Sequence, residues 1–207
     1  MRTPTRLLAT GAALAVPAAL FVAPAVLTAP SDGGGPGIDE LVAHCRASGL
    51  EGWALVDHAT VLVHHSYRKH SLWHLWDSPE SSLRHAHGWS AQYNGALARV
   101  LTALGFQVVE VHAARVRGLG RNPWWQAGHT WLRVTHEGRT LDVSASSATN
   151  RAGELDVDPR SEVRPVRRWT RSVVSLALTP VVAVQAWRQL LGADVPGWLH
   201  RDFGQRL

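Results

Sequence analysis

Three polar residues in the middle of the chain have the types and the order that nucleophilic catalysis needs. Ser90 begins an amphipathic stretch, His129 lies in a stretch of alternating apolar and polar residues, and Asp142 follows it. A serine hydroxyl attacks a carbonyl carbon when a histidine takes its proton and a carboxylate orients that histidine. The sequence therefore predicts an acyl-transfer or hydrolytic site, provided that folding brings the three side chains together.

The stretch after Ser90 is predicted to be a helix. Apolar residues recur in it at helical spacing, and Gly105 followed by Phe106 is typical of a helix end. Ser90 would then lie at or near the helix N-terminus, where the helix dipole favours a developing anion. Serine is also a preferred N-cap for helix stability alone, so the position by itself more often has a structural explanation.

His129 and Asp142 are predicted on neighbouring strands of a hairpin. Residues 128–136 alternate between two faces and place His129 and Trp131 on the same face. A four-residue loop over residues 135–138 would set Asp142 opposite Trp131, diagonal to His129 and within reach of a hydrogen bond. A three-residue loop would instead put Asp142 on the other face.

Together these segments resemble the transglutaminase-like branch of the papain-type fold, and within that fold also the arylamine N-acetyltransferases. Asn94 and the strand ending at Val116 are closer to the acetyltransferases, whereas His129 with Thr130 and Trp131 is similar to the transglutaminase histidine motif. The resemblance covers about the middle third of the chain. The matching segments are Gly88-Trp89-Ser90, Asn94, Leu104-Gly105-Phe106, Ala114-Arg115-Val116, Gly128-His129-Thr130-Trp131 and Leu141-Asp142-Val143.

This resemblance implies an α+β fold, with N-terminal helices followed by an antiparallel β-sheet around a papain-type core. It also implies a Cys-His-Asp triad, carried here onto Ser90, His129 and Asp142. A thiol beside an imidazolium ionises near neutral pH, but a hydroxyl needs a base to remove its proton during attack. We expect a serine acyltransferase or amide hydrolase acting on a peptide or acyl-bearing small substrate. A catalytically inactive binding module and a membrane-surface scaffold are the alternatives.

Five tryptophans are candidates for the substrate cleft and the oxyanion hole. In some members of the family that the chain resembles, an upstream aromatic N–H helps to hold the oxyanion, although packing explains such tryptophans equally well. The last two precede His129 and are expected to form a wall of the cleft. The candidates are Trp73, Trp76, Trp89, Trp124 and Trp125.

Neither the single cysteine nor the histidines mark a second site. Cys45 is the single cysteine of the chain, so no intramolecular disulfide can form. It lies in a predicted helix over 38–48, where we expect it to be a buried apolar residue. His70 and His74 have the spacing of a helical zinc pair, but no glutamate follows His70 and no third ligand is apparent. The sequence therefore predicts no metal site and no cofactor. Further helices are predicted over 53–67 and after Ser78.

The N-terminus has the features of an export signal or a membrane anchor. Arg2 and Arg6 precede an uncharged apolar run over residues 7–27, which contains a small-residue cleavage pattern. We assign residues 1–30 to this signal or anchor and the Gly-rich residues 31–37 to a linker. The transglutaminase-like domain is expected over 38–165, and the protein is predicted to be exported or membrane-anchored and extracytoplasmic.

The remaining segment, residues 166–207, is basic and then apolar. The chain has a formal net charge of +5, nearly all of it from arginine. Its second apolar stretch, 173–187, is shorter than a typical membrane span and contains Pro180, so we expect a helix on the membrane surface or docked on the domain. No motif typical of nucleic-acid readers is present, and nucleic acid is not an expected partner.

Overall fold

The computed structural model describes residues 33–118, 127–167 and 169–204. The predicted signal or anchor, together with Trp124 and Trp125, lies outside the described residues. Within them the fold is α+β, with helices followed by an antiparallel sheet, as the sequence predicted.

Four helices precede the main sheet, and each begins close to its predicted position. Ser78 caps the third, because its hydroxyl accepts a hydrogen bond from the amide of Ser81 at 3.1 Å. Cys45 is fully buried in the first. The helices are α1 (Ile38–Ala47), α2 (Gly52–Ser66), α3 (Pro79–His85) and α4 (Ser90–Ala103).

Helix α4 ends in a Schellman motif. Gly105 has φ +95°, and its amide donates to the carbonyl of Thr102 at 3.0 Å. The amide of Phe106 donates to the carbonyl of Leu101, also at 3.0 Å. These two bonds satisfy carbonyls that the helix leaves unpaired, and the left-handed residue favours glycine. The predicted helix end is therefore confirmed.

The main sheet has the strand order β5-β4-β3-β6, and β7 also pairs with β3. Helix α4 packs on one face of it, where Leu97 and Leu101 join Leu132 and Val134 in the largest apolar cluster. A second, three-stranded sheet has the order β2-β1-β8. The strands are β1 (Lys69–Ser71), β2 (His87–Gly88), β3 (Gln107–Gly118), β4 (Ala127–His136), β5 (Arg139–Val143), β6 (Val157–Pro159), β7 (Val163–Pro165) and β8 (His200–Asp202).

The hairpin between β4 and β5 has a tighter turn than predicted. His136 pairs with Arg139, so only Glu137 and Gly138 form the turn, with φ +49° and +74°. Positive φ at both turn residues gives the geometry that follows the natural twist of paired strands. The predicted four-residue loop is therefore wrong, and Asp142 pairs with Arg133 instead of Trp131.

The C-terminal helix α5 (Thr170–Leu190) docks on the domain. Its residues Val182 and Ala186 pack against Trp73 and Trp89 in a second apolar cluster. The helix continues through Pro180, although a proline inside a helix usually kinks or breaks it. Proline removes one backbone hydrogen bond, and packing of the flanking turns stabilises the helix across that position. By length and composition α5 could also cross a membrane.

Candidate active site

Ser90 is the first residue of α4 and is buried, with 5% of its surface exposed. The N-cap is Trp89, which has extended backbone angles, and its amide donates to Oε1 of Gln92 at 3.1 Å. This contact is the glutamine half of a capping box and stabilises the start of the helix. Ser90 therefore does not occupy the capping position, so the structural explanation of a serine there does not apply.

His129 lies near the start of β4, at the end of the strand that meets the first turn of α4. Its ring stacks on Trp131 with centroids 6.1 Å apart, and it lies 6.4 Å from the ring of Tyr93. Tyr93 follows Ser90 by three residues, so the two side chains share one side of the helix. The contact between Tyr93 and His129 therefore brings the N-terminal turn of α4 to this histidine.

Asn94 holds the same turn of α4 against the strands. Its Nδ2 donates to the carbonyl of Thr130 at 2.6 Å, and its Oδ1 accepts from the amide of Ala145 at 2.9 Å. Asn94 is fully buried. Because Ser90 and Asn94 are four residues apart, they lie on the same face of the helix. Ser90 therefore lies on the face of α4 that meets the His129 end of β4.

A chain of hydroxyl groups connects His129 to a carboxylate. Nε2 of His129 lies 3.3 Å from Oγ of Ser144. The Ser144 hydroxyl donates to Oγ of Ser146 at 3.0 Å, and Ser146 donates to Oδ1 of Asp156 at 2.8 Å. Each hydroxyl has one proton, so the oxygen of Ser144 accepts from His129. With this arrangement of protons Nε2 of His129 is the donor, which corresponds to the tautomer in which Nδ1 is the acceptor.

Asn150 fixes the far end of this hydroxyl chain. Its Nδ2 donates to the carbonyl of Ser144 at 2.9 Å and to Oδ1 of Asp156 at 3.2 Å, and its Oδ1 accepts from the amide of Asp156 at 2.9 Å. Asn150 is buried. The carboxylate of Asp156 is therefore held in one orientation toward Ser146.

Asp142 lies outside this network. Its Oδ1 accepts from Nε of Arg133, its direct cross-strand partner, at 3.1 Å. The pair Leu132 with Val143 is the last in the β4–β5 ladder, and Ser144 is the next residue. The tighter turn shifts the register by two residues, so Ser144 lies where Asp142 was predicted. Sequence reasoning missed the hydroxyl chain because residues 144–156 have no periodicity that predicts their positions.

The predicted cleft tryptophans that the structure describes have different surroundings. Trp73 and Trp89 are each 6% exposed and belong to the second apolar cluster. Trp76 is exposed, and its Nε1 donates to Oγ1 of Thr179 on α5 at 3.2 Å. Nε1 of Trp89 is buried and has no hydrogen-bond partner among the described residues. Trp89 is thus the indole donor nearest in sequence to Ser90.

Two cavities are lined in part by strands of the main sheet. One of about 770 Å³ is lined by Arg99, Glu110 and Arg171 among others, and burial raises the pKa of the Glu110 carboxyl. The other, of about 290 Å³, is lined by Trp131 and Asp142 among others. Neither Ser90 nor His129 lines either cavity.

No protein-family model matches this chain, and no curated protein matches it significantly. The resemblance to transglutaminase-like proteins therefore depends on the residues quoted above. Function is inferred from the geometry around His129.

Proposed function

We propose that this chain has a transglutaminase-like, papain-type core and that Ser90 and His129 carry out acyl transfer or hydrolysis on a peptide or acyl-bearing small substrate. The observation that carries the proposal is the hydrogen-bond network that joins Nε2 of His129 to Asp156 through Ser144 and Ser146. In the tautomer with the proton on Nε2, the Nδ1 lone pair acts as the base. The contacts of Tyr93 and Asn94 support the placement of Ser90 beside it.

In the proposed reaction the Ser90 hydroxyl oxygen attacks the carbonyl carbon of the substrate while Nδ1 of His129 takes the hydroxyl proton. The bond to the leaving amine or alcohol then breaks, and His129 returns that proton to the leaving group. Water or an acceptor amine resolves the resulting acyl-serine by the reverse sequence. The N-terminal end of α4 stabilises the oxyanion through the helix dipole.

In this proposal Ser144, Ser146 and Asp156 together orient the imidazole of His129. The family resemblance implied that role for Asp142. The three residues hold the imidazole in one tautomer, and the Asp156 carboxylate stabilises the imidazolium through two hydroxyl groups. Two intervening hydroxyls transmit less of that charge than a direct carboxylate contact. We therefore expect a slower enzyme than one with a direct histidine–aspartate bond.

A fluorophosphonate probe tests the proposal, because it labels only serines that a base activates. We expect one label per chain, on Ser90, and no label in Ser90→Ala. Ser78→Ala is the matched control, since Ser78 caps α3 and lies outside the site. It should lower the melting temperature and leave labelling unchanged. An unlabelled wild-type protein would support the inactive binding module, and a label that persists in Ser90→Ala would exclude Ser90 as the nucleophile.

We further propose that α5 holds the protein at a membrane surface. Six exposed residues follow each other along one side of this helix and its C-terminus at intervals of three or four, which is the spacing of a single helical stripe. An apolar stripe of this length is typical of interfacial helices. An exported or membrane-anchored, extracytoplasmic location is part of the same proposal. The stripe consists of Val173, Leu176, Pro180, Val184, Trp187 and Leu191.

A further inference from the structure

Three side chains of metal-ligand type converge beside the small sheet. Nδ1 of His85 lies 2.9 Å and Nδ1 of His74 lies 3.5 Å from Oδ2 of Asp77. Their ligand atoms all lie within 4.8 Å of one another. The side chains are 13%, 25% and 37% exposed for His74, Asp77 and His85, so an ion from solvent can reach them.

We infer that His74, Asp77 and His85 form a binding site for a divalent transition metal ion of the zinc type. Two imidazoles and one carboxylate suit Zn²⁺, Co²⁺ or Ni²⁺, whereas Ca²⁺ and Mg²⁺ prefer a shell of oxygen ligands. Ligands at about 2.0–2.1 Å from a tetrahedral ion are about 3.3 Å apart. The observed separations of 2.9 and 3.5 Å lie on either side of that value.

Hydrogen bonds from α4 and α5 hold the backbone of two of these ligands, His74 and Asp77, in place. Nε2 of Gln92, a fully buried residue of α4, donates to the carbonyl of His74 at 2.5 Å and to that of Asp77 at 3.1 Å. The guanidinium of Arg171 also donates to the carbonyl of Asp77. Such bonds hold ligand residues in position before an ion binds, which lowers the cost of ordering the site.

The third ligand comes from a separate rigid element. His85 is the last residue of α3, which ends at Ala86 in the left-handed conformation with φ +56°. The site therefore joins the turn before α3 to the end of that helix. Sequence spacing does not reveal this site, because His70 lies in β1 and residues 72–76 form turns instead of continuing a helix.

Titration calorimetry on the full-length protein, treated with EDTA and then dialysed, tests the inference with ZnCl₂. We expect one ion per chain, and a visible absorption band when CoCl₂ replaces zinc. His85→Ala and Asp77→Asn should each weaken zinc binding about 100-fold or more. Millimolar MgCl₂ should not displace the zinc. Asp77→Asn preserves the side-chain shape, so it decides the question if His85→Ala fails to fold.

His136→Ala is the matched control. Nε2 of His136 lies 3.7 Å from Oε1 of Glu137 on the exposed hairpin turn. This histidine therefore has a carboxylate neighbour, as His85 does, but it is not one of the three proposed ligands. Zinc affinity should be unchanged in this variant. Wild-type protein that binds no zinc would overturn the inference. So would wild-type affinity in Asp77→Asn, which would locate the ion at other histidines.

Discussion

Nε2 of His129 lies 3.3 Å from the hydroxyl oxygen of Ser144. Ser144 follows Asp142, the partner predicted from the sequence, by two residues. A carboxylate does belong to this arrangement, but it is that of Asp156, which accepts from Ser146 at 2.8 Å. Asp142 is bonded to Arg133. The two aspartates therefore have different expected roles, and substitution separates them.

Asp156→Asn should slow fluorophosphonate labelling of Ser90 about tenfold, because the amide can still accept from Ser146 but supplies no negative charge to an imidazolium. Asp142→Asn should change the labelling rate less than twofold, since its partner is a partly exposed arginine. The measurement is the second-order rate of labelling at neutral pH. A larger effect of Asp142→Asn would return the orienting role to that residue.

Ser90→Cys should create a reactive thiol. The helix N-terminus and a neighbouring imidazolium both lower a thiol pKa, so we expect alkylation by iodoacetamide at mildly acidic pH. Cys45 is an internal control, because it is fully buried and burial raises the pKa of its thiol. His129→Ala in the same background should slow the reaction. An introduced thiol as unreactive as Cys45 would show that Ser90 is not beside His129.

The free energy of unfolding should fall as the pH drops below about 6.5, the ordinary pKa of histidine. Burial lowers the pKa of His64, whose Nδ1 lies 2.9 Å from the carbonyl of Ala145. The unfolded chain therefore takes up a proton that the folded protein resists, and stability is lost from pH 6.5 down to the folded pKa.

His64→Gln should reduce this dependence, as measured by urea unfolding between pH 7.5 and 5. His44→Gln is the control, because it replaces an exposed histidine on α1. If His64→Gln keeps the full wild-type slope, another group causes the loss.

Leu176→Glu should weaken binding to vesicles that contain anionic lipid, because it places a charge in the apolar stripe of α5. Gln185→Glu adds the same charge at a partly exposed position outside the stripe. Co-sedimentation with vesicles measures both variants. Equal loss in the two would attribute binding to net charge, and no binding by the wild-type protein would remove the membrane proposal.

Local signals predicted the helices well because their causes are local. The apolar period of α4 and the glycine after it need no information from distant residues, and the Schellman motif at Gly105 follows from them. The hairpin was also predicted, but its register depends on turn length. Glu137 and Gly138 alone make the turn, which moved Asp142 by two positions. A small local difference therefore changed the proposed triad.

Other features depend on contacts between distant segments and could not be predicted from spacing. Asp156 reaches Ser146 through an irregular loop, and His74 meets His85 because α3 folds back over the turn before it. Pro180 shows the opposite case, because the local rule that proline ends a helix fails there. Packing against the domain maintains α5 through a residue that would end an isolated helix.

The pairing of Ser71 with His200 joins positions 129 residues apart. A growing chain cannot complete the small sheet until the region of His200 has been synthesised. Leu199, which belongs to the same apolar cluster as Trp73 and Trp89, is synthesised equally late. Contacts of such long range slow folding and leave apolar surface open to other molecules in the meantime. The nascent protein is therefore expected to need chaperone protection until its final strand has been made.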